Sequence, residues 1–113
     1  MRDGMYKVII EGRGVKILMI GTLTDGRLIG CDPTHHVTGW VRESGSRFRG
    51  SLQMRRHAKP AGFVEIANLD VIDVTFEGIG GTSFGAFDAR IEGHPELPVK
   101  ANFQWLCDFA KAS

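Results

Sequence analysis

Apolar and polar side chains alternate with a period of two along most of this chain, and the alternation is clearest over residues 71–92. Ile72, Val74 and Phe76 share one face there, with Asp73, Thr75 and Glu77 on the other. After a glycine-rich stretch, Phe87, Ala89 and Ile91 oppose Asp88, Arg90 and Glu92. A period of two with charge on one side predicts strands buried on one face and wet on the other. The two arms therefore form a β-hairpin, and Gly78, Ile79, Gly80, Gly81, Thr82 and Ser83 connect them.

The same reading gives strands at residues 5–10 and 15–22. Asp25-Gly26 is a hairpin signal, because a type I′ turn needs positive φ at both central residues, and 27–31 returns as the partner strand. Residues 36–43 and 47–57 follow as strands, anchored in the second case by Phe48, Leu52 and Met54, with Gly50 as a candidate bulge. A short strand is expected at 63–67, and the phase slips near Asn68, where a bulge or tight turn fits.

The C-terminal segment carries two periods. Leu97, Val99, Ala101, Phe103 and Trp105 alternate as in a strand. Asn102 is a good helix N-cap, and Phe103, Leu106 and Ala110 share a helical face. A strand over 96–101 followed by a helix over 103–111 accommodates both. The fold class is thus mainly β, α+β at the margin. It is a small antiparallel barrel or strongly curved sheet of seven to eight short strands in one domain over 1–113, closed by a C-terminal helix. The expected core is Val8, Ile10, Ile17, Met19, Leu28, Val64, Ile66, Ile72, Val74, Phe76, Phe87, Ile91, Phe103 and Leu106. Exposed edges of short strands point to pairing into a homodimer.

Composition sharpens this only slightly. Fifteen glycines in 113 residues favour turns and short strands over long helices. No apolar run reaches membrane-spanning length, and the first residues lack a signal-peptide pattern, so a cytoplasmic setting without a membrane partner is expected. Cys31 and Cys107 then read as reduced, buried small hydrophobes. The net charge is only +1, but it is unevenly spread. Arg42, Arg47, Arg49, Arg55, Arg56 and Lys59 crowd residues 40–60, whereas 61–98 is acidic.

Three constellations could carry chemistry. Successive glycines followed by hydroxyls at 78–83 could cradle an anion, but the stretch leads into a strand and lacks a lysine, so a hairpin loop is the simpler reading. Cys31, Asp32, His35 and His36 are the densest group of metal-ligand types, and an enzyme would use His35 or His36 as a base oriented by Asp32. No second cluster completes a metal site, and a turn with one histidine packed and one exposed explains the same residues. The basic strand is the most distinctive. Trp40, Arg47, Arg49, Arg55, Arg56 and His57 are the candidate ligand-binding residues. They could meet a small anionic ligand or a protein, or less favourably single-stranded nucleic acid. The expected function is a non-catalytic binding or interaction module without a cofactor. A small metal- or histidine-dependent enzyme is the alternative.

Overall fold

In a computed structural model, which describes residues 1–110, the alternation resolves into strands throughout. They are β1 (Gly4–Gly12), β2 (Val15–Thr24), β3 (Arg27–Cys31), β4 (His35–Ser44), β5 (Arg47–Arg56), β6 (Val71–Gly80), β7 (Phe84–Ile91) and β8 (Val99–Cys107). Each pairs antiparallel with the next, and β8 pairs back onto β1 to close an up-and-down barrel. No helix among the described residues is long and apolar enough to cross a membrane.

Local chemistry fixes the register. Asp25 and Gly26 have φ of 51° and 78°, the doubly positive pair of the expected type I′ turn. Arg13 and Gly14, at 53° and 74°, make the equivalent turn between β1 and β2. In the 71–92 hairpin Ile72, Val74, Phe76, Ala89 and Ile91 are buried as expected. Its connection is shorter than the glycine run, because Gly78 and Gly80 lie inside β6, opposite Phe87 and Gly85.

The expected C-terminal helix is not there. Residues 99–107 continue as β8, burying Val99, Ala101 and Phe103 between β1 and β7. Asn102 is no N-cap, since it pairs with Ile9 on one side and Ala86 on the other. Two open sheet edges gain backbone hydrogen bonds from one further strand, which outweighs a few turns of lone helix. Residues 108–110 have no regular structure, and Lys111, the last residue of that expected helix, lies outside the described residues.

Smaller corrections follow from the same geometry. Residues 63–67 are not a strand but part of the long β5–β6 connection, where Leu69 N donates to Ala67 O at 2.9 Å in the turn that causes the phase slip. Val64 and Leu106 are exposed, not core. Both cysteines are exposed as well, Cys31 because its parity on β3 points outward and Cys107 because it ends β8 opposite Met5. Gly50 makes no bulge, and β5 keeps continuous register through it on both sides. The register shift that does occur is between β1 and β8, at Met5/Tyr6.

Gly50 is small for another reason. A Cβ there would meet Phe76 Cζ at 2.3 Å and the Trp40 carbonyl oxygen at 2.3 Å. Gly50→Ala is therefore expected to lower unfolding free energy by about 1–3 kcal/mol, the usual range for overpacking. Gly81→Ala, where the nearest atom is 4.0 Å away, should stay within about 0.5 kcal/mol of wild type. Urea unfolding of the two variants checks both values.

Candidate functional site

The barrel interior has two unlike halves. At the mouth formed by the starts of β1, β5 and β7, Tyr6, Phe48, Phe76, Phe87 and Phe103 pack ring against ring. Their centroids are 5.1 Å apart for Phe76–Phe87 and 5.5 Å for Phe48–Phe103. The half toward the opposite mouth is aliphatic and contains a cavity of about 80 Å³. Its wall includes Ile17, Met54, Ile72, Ile91 and Val99 from the strands, Ile66 and Ala67 from the β5–β6 connection, and four polar residues, Asp32, Thr34, His35 and Glu65. Eight strands enclose just enough width for side chains to fill or for one small guest.

Residues 57–70 cap this mouth. Ile66 and Ala67 are buried against the barrel, and the cap is held by Arg56 at the end of β5. Its Nη1 donates to Glu65 Oε2 at 2.7 Å and its Nε to Asp70 Oδ1 at 2.7 Å. Nη2 reaches Asn68 Oδ1 at 3.3 Å and the Leu69 carbonyl at 3.2 Å. A planar fork of fixed donors suits four acceptors spread along one loop, which a lysine could not span. The hydrogen bond to Glu65, and then that to Asp70, pushes the guanidinium pKa still higher. The Arg56 hydrogen bond in turn holds the Asp70 carboxyl below the usual aspartate range.

The β3–β4 turn supplies the other polar wall. Asp32 Oδ1 accepts from Thr34 N at 2.8 Å, Thr34 Oγ1 at 2.9 Å and His35 N at 2.6 Å. This self-bonded turn swings His35 inward, 2% exposed, while His36 faces out by strand parity. One histidine is thus packed and the other exposed, as the simpler sequence reading had it. His35 Nε2 lies 2.7 Å from the Leu69 carbonyl, and Nδ1 lies 2.7 Å from Thr34 Oγ1. Asp32 therefore shapes the turn and reaches the imidazole only through the Thr34 hydroxyl, and both ring nitrogens of His35 are occupied. Cys31 and His36 face away from Asp32 and His35, and no group of three or more metal-ligating side chains forms among the described residues.

The six sequence-predicted ligand-binding residues do not converge. Arg47 and Arg55 lie near opposite ends of β5, whose ten residues span roughly 30 Å. Arg55 Nε donates to Gln53 Oε1 at 2.9 Å, and Arg56 turns inward to the cap. His57 is part of the cap hinge, donating from its backbone to the Thr34 carbonyl at 2.8 Å, with Nε2 3.0 Å from the Asp32 carbonyl oxygen. Trp40 and Arg49 do meet, in an outer groove with Ser51, Thr75, Glu77, Asp88 and Arg90. Arg42 lies over the Trp40 ring at 5.0 Å. Glu77 sits directly across from Arg49, and Asp88 across from Glu77 on the next strand, so the groove is mixed in charge. The glycine-rich connection offers little to an anion either. Gly81 N is bonded to Phe84 O at 3.0 Å, and the Thr82 and Ser83 carbonyls accept from Arg2 and Trp105.

No protein-family model matches the chain, and no curated protein matches its sequence. Glu65 and Thr34 escaped sequence reading. Glu65 sat in an expected strand as one acid among apolar neighbours, and nothing in the order of residues signals that Arg56 folds over it.

The Asp70–Arg56 bond gives the cap a pH dependence of defined sign. A carboxyl whose folded pKa is depressed stabilises fully above its ordinary titration near about 4, and that contribution is lost as pH falls through the lower folded value. Protection factors of the 57–70 amides, taken against the intrinsic exchange rate at each pH, should therefore fall selectively on acidification below that range, and Asp70→Asn should flatten the dependence. Arg56→Lys should quicken exchange in 57–70 at neutral pH and leave the β1 and β8 amides protected. Hydrogen-exchange mass spectrometry across that pH range measures each effect.

Proposed function

We propose that this chain is a non-catalytic binding module that holds a small, mainly apolar ligand inside the barrel, beneath the 57–70 cap. The carrying observation is the cavity itself. It is a largely aliphatic space of about 80 Å³ with polar groups at one end and a separately anchored loop over it. Small-molecule sites share this composition, an apolar wall with a few placed polar groups. The fully bonded His35 and the self-contained Asp32 turn favour binding over acid–base catalysis.

Xenon is a direct probe, since it enters dry apolar cavities without needing a polar partner. Xenon-saturated buffer should shift the methyl resonances of Ile17, Ile72 and Ile91 and leave those of the outward Ile29 and Ile79 unmoved. Ala89→Leu, which extends a cavity-wall side chain into the space, should abolish the shifts while keeping the fold. Shifts confined to Ile29 and Ile79 would contradict interior binding.

A second reading keeps a protein partner on the outer face, with a cytoplasmic setting as before. The mixed-charge groove around Trp40 and Arg49 favours a partner surface carrying both signs over a simple anion or a nucleic-acid strand. A second copy of the chain is the expected partner for another reason. β3 ends at Cys31 opposite Ile20, so, among the described residues, positions 15–19 of β2 have no strand neighbour on that side, and Leu18 within them is half exposed. Solution mass should then be that of a dimer and fall to that of a monomer in Leu18→Glu. A wild-type mass of one chain would remove the dimer.

A further inference from the structure

Glu65 is the residue of the cavity wall whose hydrogen bonding is unfinished. Its side chain is 9% exposed and its Oε2 is taken by Arg56. Its Oε1 is buried, and among the described residues it is the only buried side-chain nitrogen or oxygen without a hydrogen-bond partner. The other polar groups of the wall bond chiefly to one another. Asp32 Oδ1 takes three donors, the Thr34 hydroxyl lies between Asp32 and His35, and His35 spans from Thr34 to Leu69. A bare carboxylate oxygen in a dry site is costly, and it can be satisfied only by a donor.

Resting on the interior-binding reading, we infer that the ligand is a small neutral aliphatic molecule bearing a hydroxyl, an alcohol of a few carbons. Its O–H donates to Glu65 Oε1, and its carbons lie among Ile17, Ile72 and Ile91. A neutral donor fits better than an ammonium ion, because Glu65 already has a cationic partner in Arg56 at 2.7 Å and an ammonium would lose its hydration among aliphatic side chains. An acceptor-only molecule of the same shape, such as a ketone, sets two lone pairs against each other and is rejected. The ligand also joins the cap to the barrel. Glu65 belongs to 57–70, so an occupant bonded to Oε1 and packed on β6 and β7 ties that loop down.

The alcohol 2-butanol and the ketone 2-butanone share a carbon skeleton and differ in the donor, which makes them the test pair. Titrations of wild type followed by methyl NMR should give dissociation constants on the order of millimolar for so small a ligand. The alcohol should bind roughly tenfold or more tighter than the ketone, as expected for a hydrogen bond to a charged group. Glu65→Gln should erase the alcohol's advantage. Arg56 needs an acceptor, so the amide oxygen turns to Arg56 and the amide N–H₂ takes the Oε1 position, where it donates to a ketone or an alcohol oxygen alike. The alcohol should also slow amide exchange in 57–70 of wild type.

Equal binding of alcohol and ketone to wild type would overturn the hydroxyl assignment and leave interior binding standing. Cavity methyls that respond to xenon but to neither organic probe would mean that Glu65 holds only a bound water, which also overturns it. Methyls that respond to none of the three would remove the interior reading as well. If Glu65→Gln fails to fold, the wild-type alcohol-to-ketone ratio alone decides.

Discussion

Closure of the sheet by β8 is the constraint on which the rest of this structure depends. By hydrogen-bonding β1 on one side and β7 on the other, β8 removes two sheet edges and fixes the distance across the interior. Inward rows from facing strands must then fill a space whose width they cannot adjust. The phenylalanines of β5, β6, β7 and β8 pack across it at one end, each ring edge-on or tilted to a neighbour, and leave a space of only about 40 Å³. Gly50 gives room for the Phe76 ring at the wall. Toward the other mouth the inward residues are mostly Ile, Val, Leu, Met and Ala, which are shorter than the phenylalanine rings. The larger space, of about 80 Å³, lies there.

That mouth cannot be left open over aliphatic side chains, and a strand is unable to cover it because its backbone would need partners on both edges. The chain solves this with an irregular loop gathered by one arginine, which takes acceptors from Glu65, Asn68, Leu69 and Asp70 and leaves Glu65 Oε1 unpartnered. Arg56 takes the last inward position of β5 and is almost buried against Glu65, with Asp70 at the solvent side. A buried ion pair of this kind contributes specificity of placement more than net stability, since desolvation offsets much of its attraction. Placement is what the cap requires. The His35 bond to the Leu69 carbonyl and the His57 bond to Thr34 tie the same loop to the β3–β4 turn. Cap, turn and cavity wall are consequently one connected unit.

Much of the barrel was legible in the residues because strand periodicity is local. Positions such as Ile72, Val74 and Phe76 reveal their face from their neighbours alone, and Asp25-Gly26 reveals its turn. The C-terminal segment misled for a physical reason. Phe103 to Ala110 satisfies a helical face and a strand face equally, and only the existence of two unpaired edges elsewhere decides between them. The site was illegible for a related reason. Consecutive arginines look like one basic surface, yet strand parity sends Arg55 outward and Arg56 inward, and ten residues of β5 separate Arg47 from the cap. Val64 looked like core because 63–67 alternates, although a loop folded over a barrel mouth buries Ile66 and Ala67 and leaves Val64 in water. Glu65 acquires meaning only from a partner nine positions away.

The most direct measurement is a crystal structure of the protein grown or soaked in 2-butanol. The expected result is one alcohol beneath the 57–70 cap, its oxygen within hydrogen-bond distance of Glu65 Oε1 and its carbons against Ile72 and Ile91. Alcohol found only in the outer groove beside Trp40, with Ile66 and its neighbours filling the interior, would contradict an interior binding site.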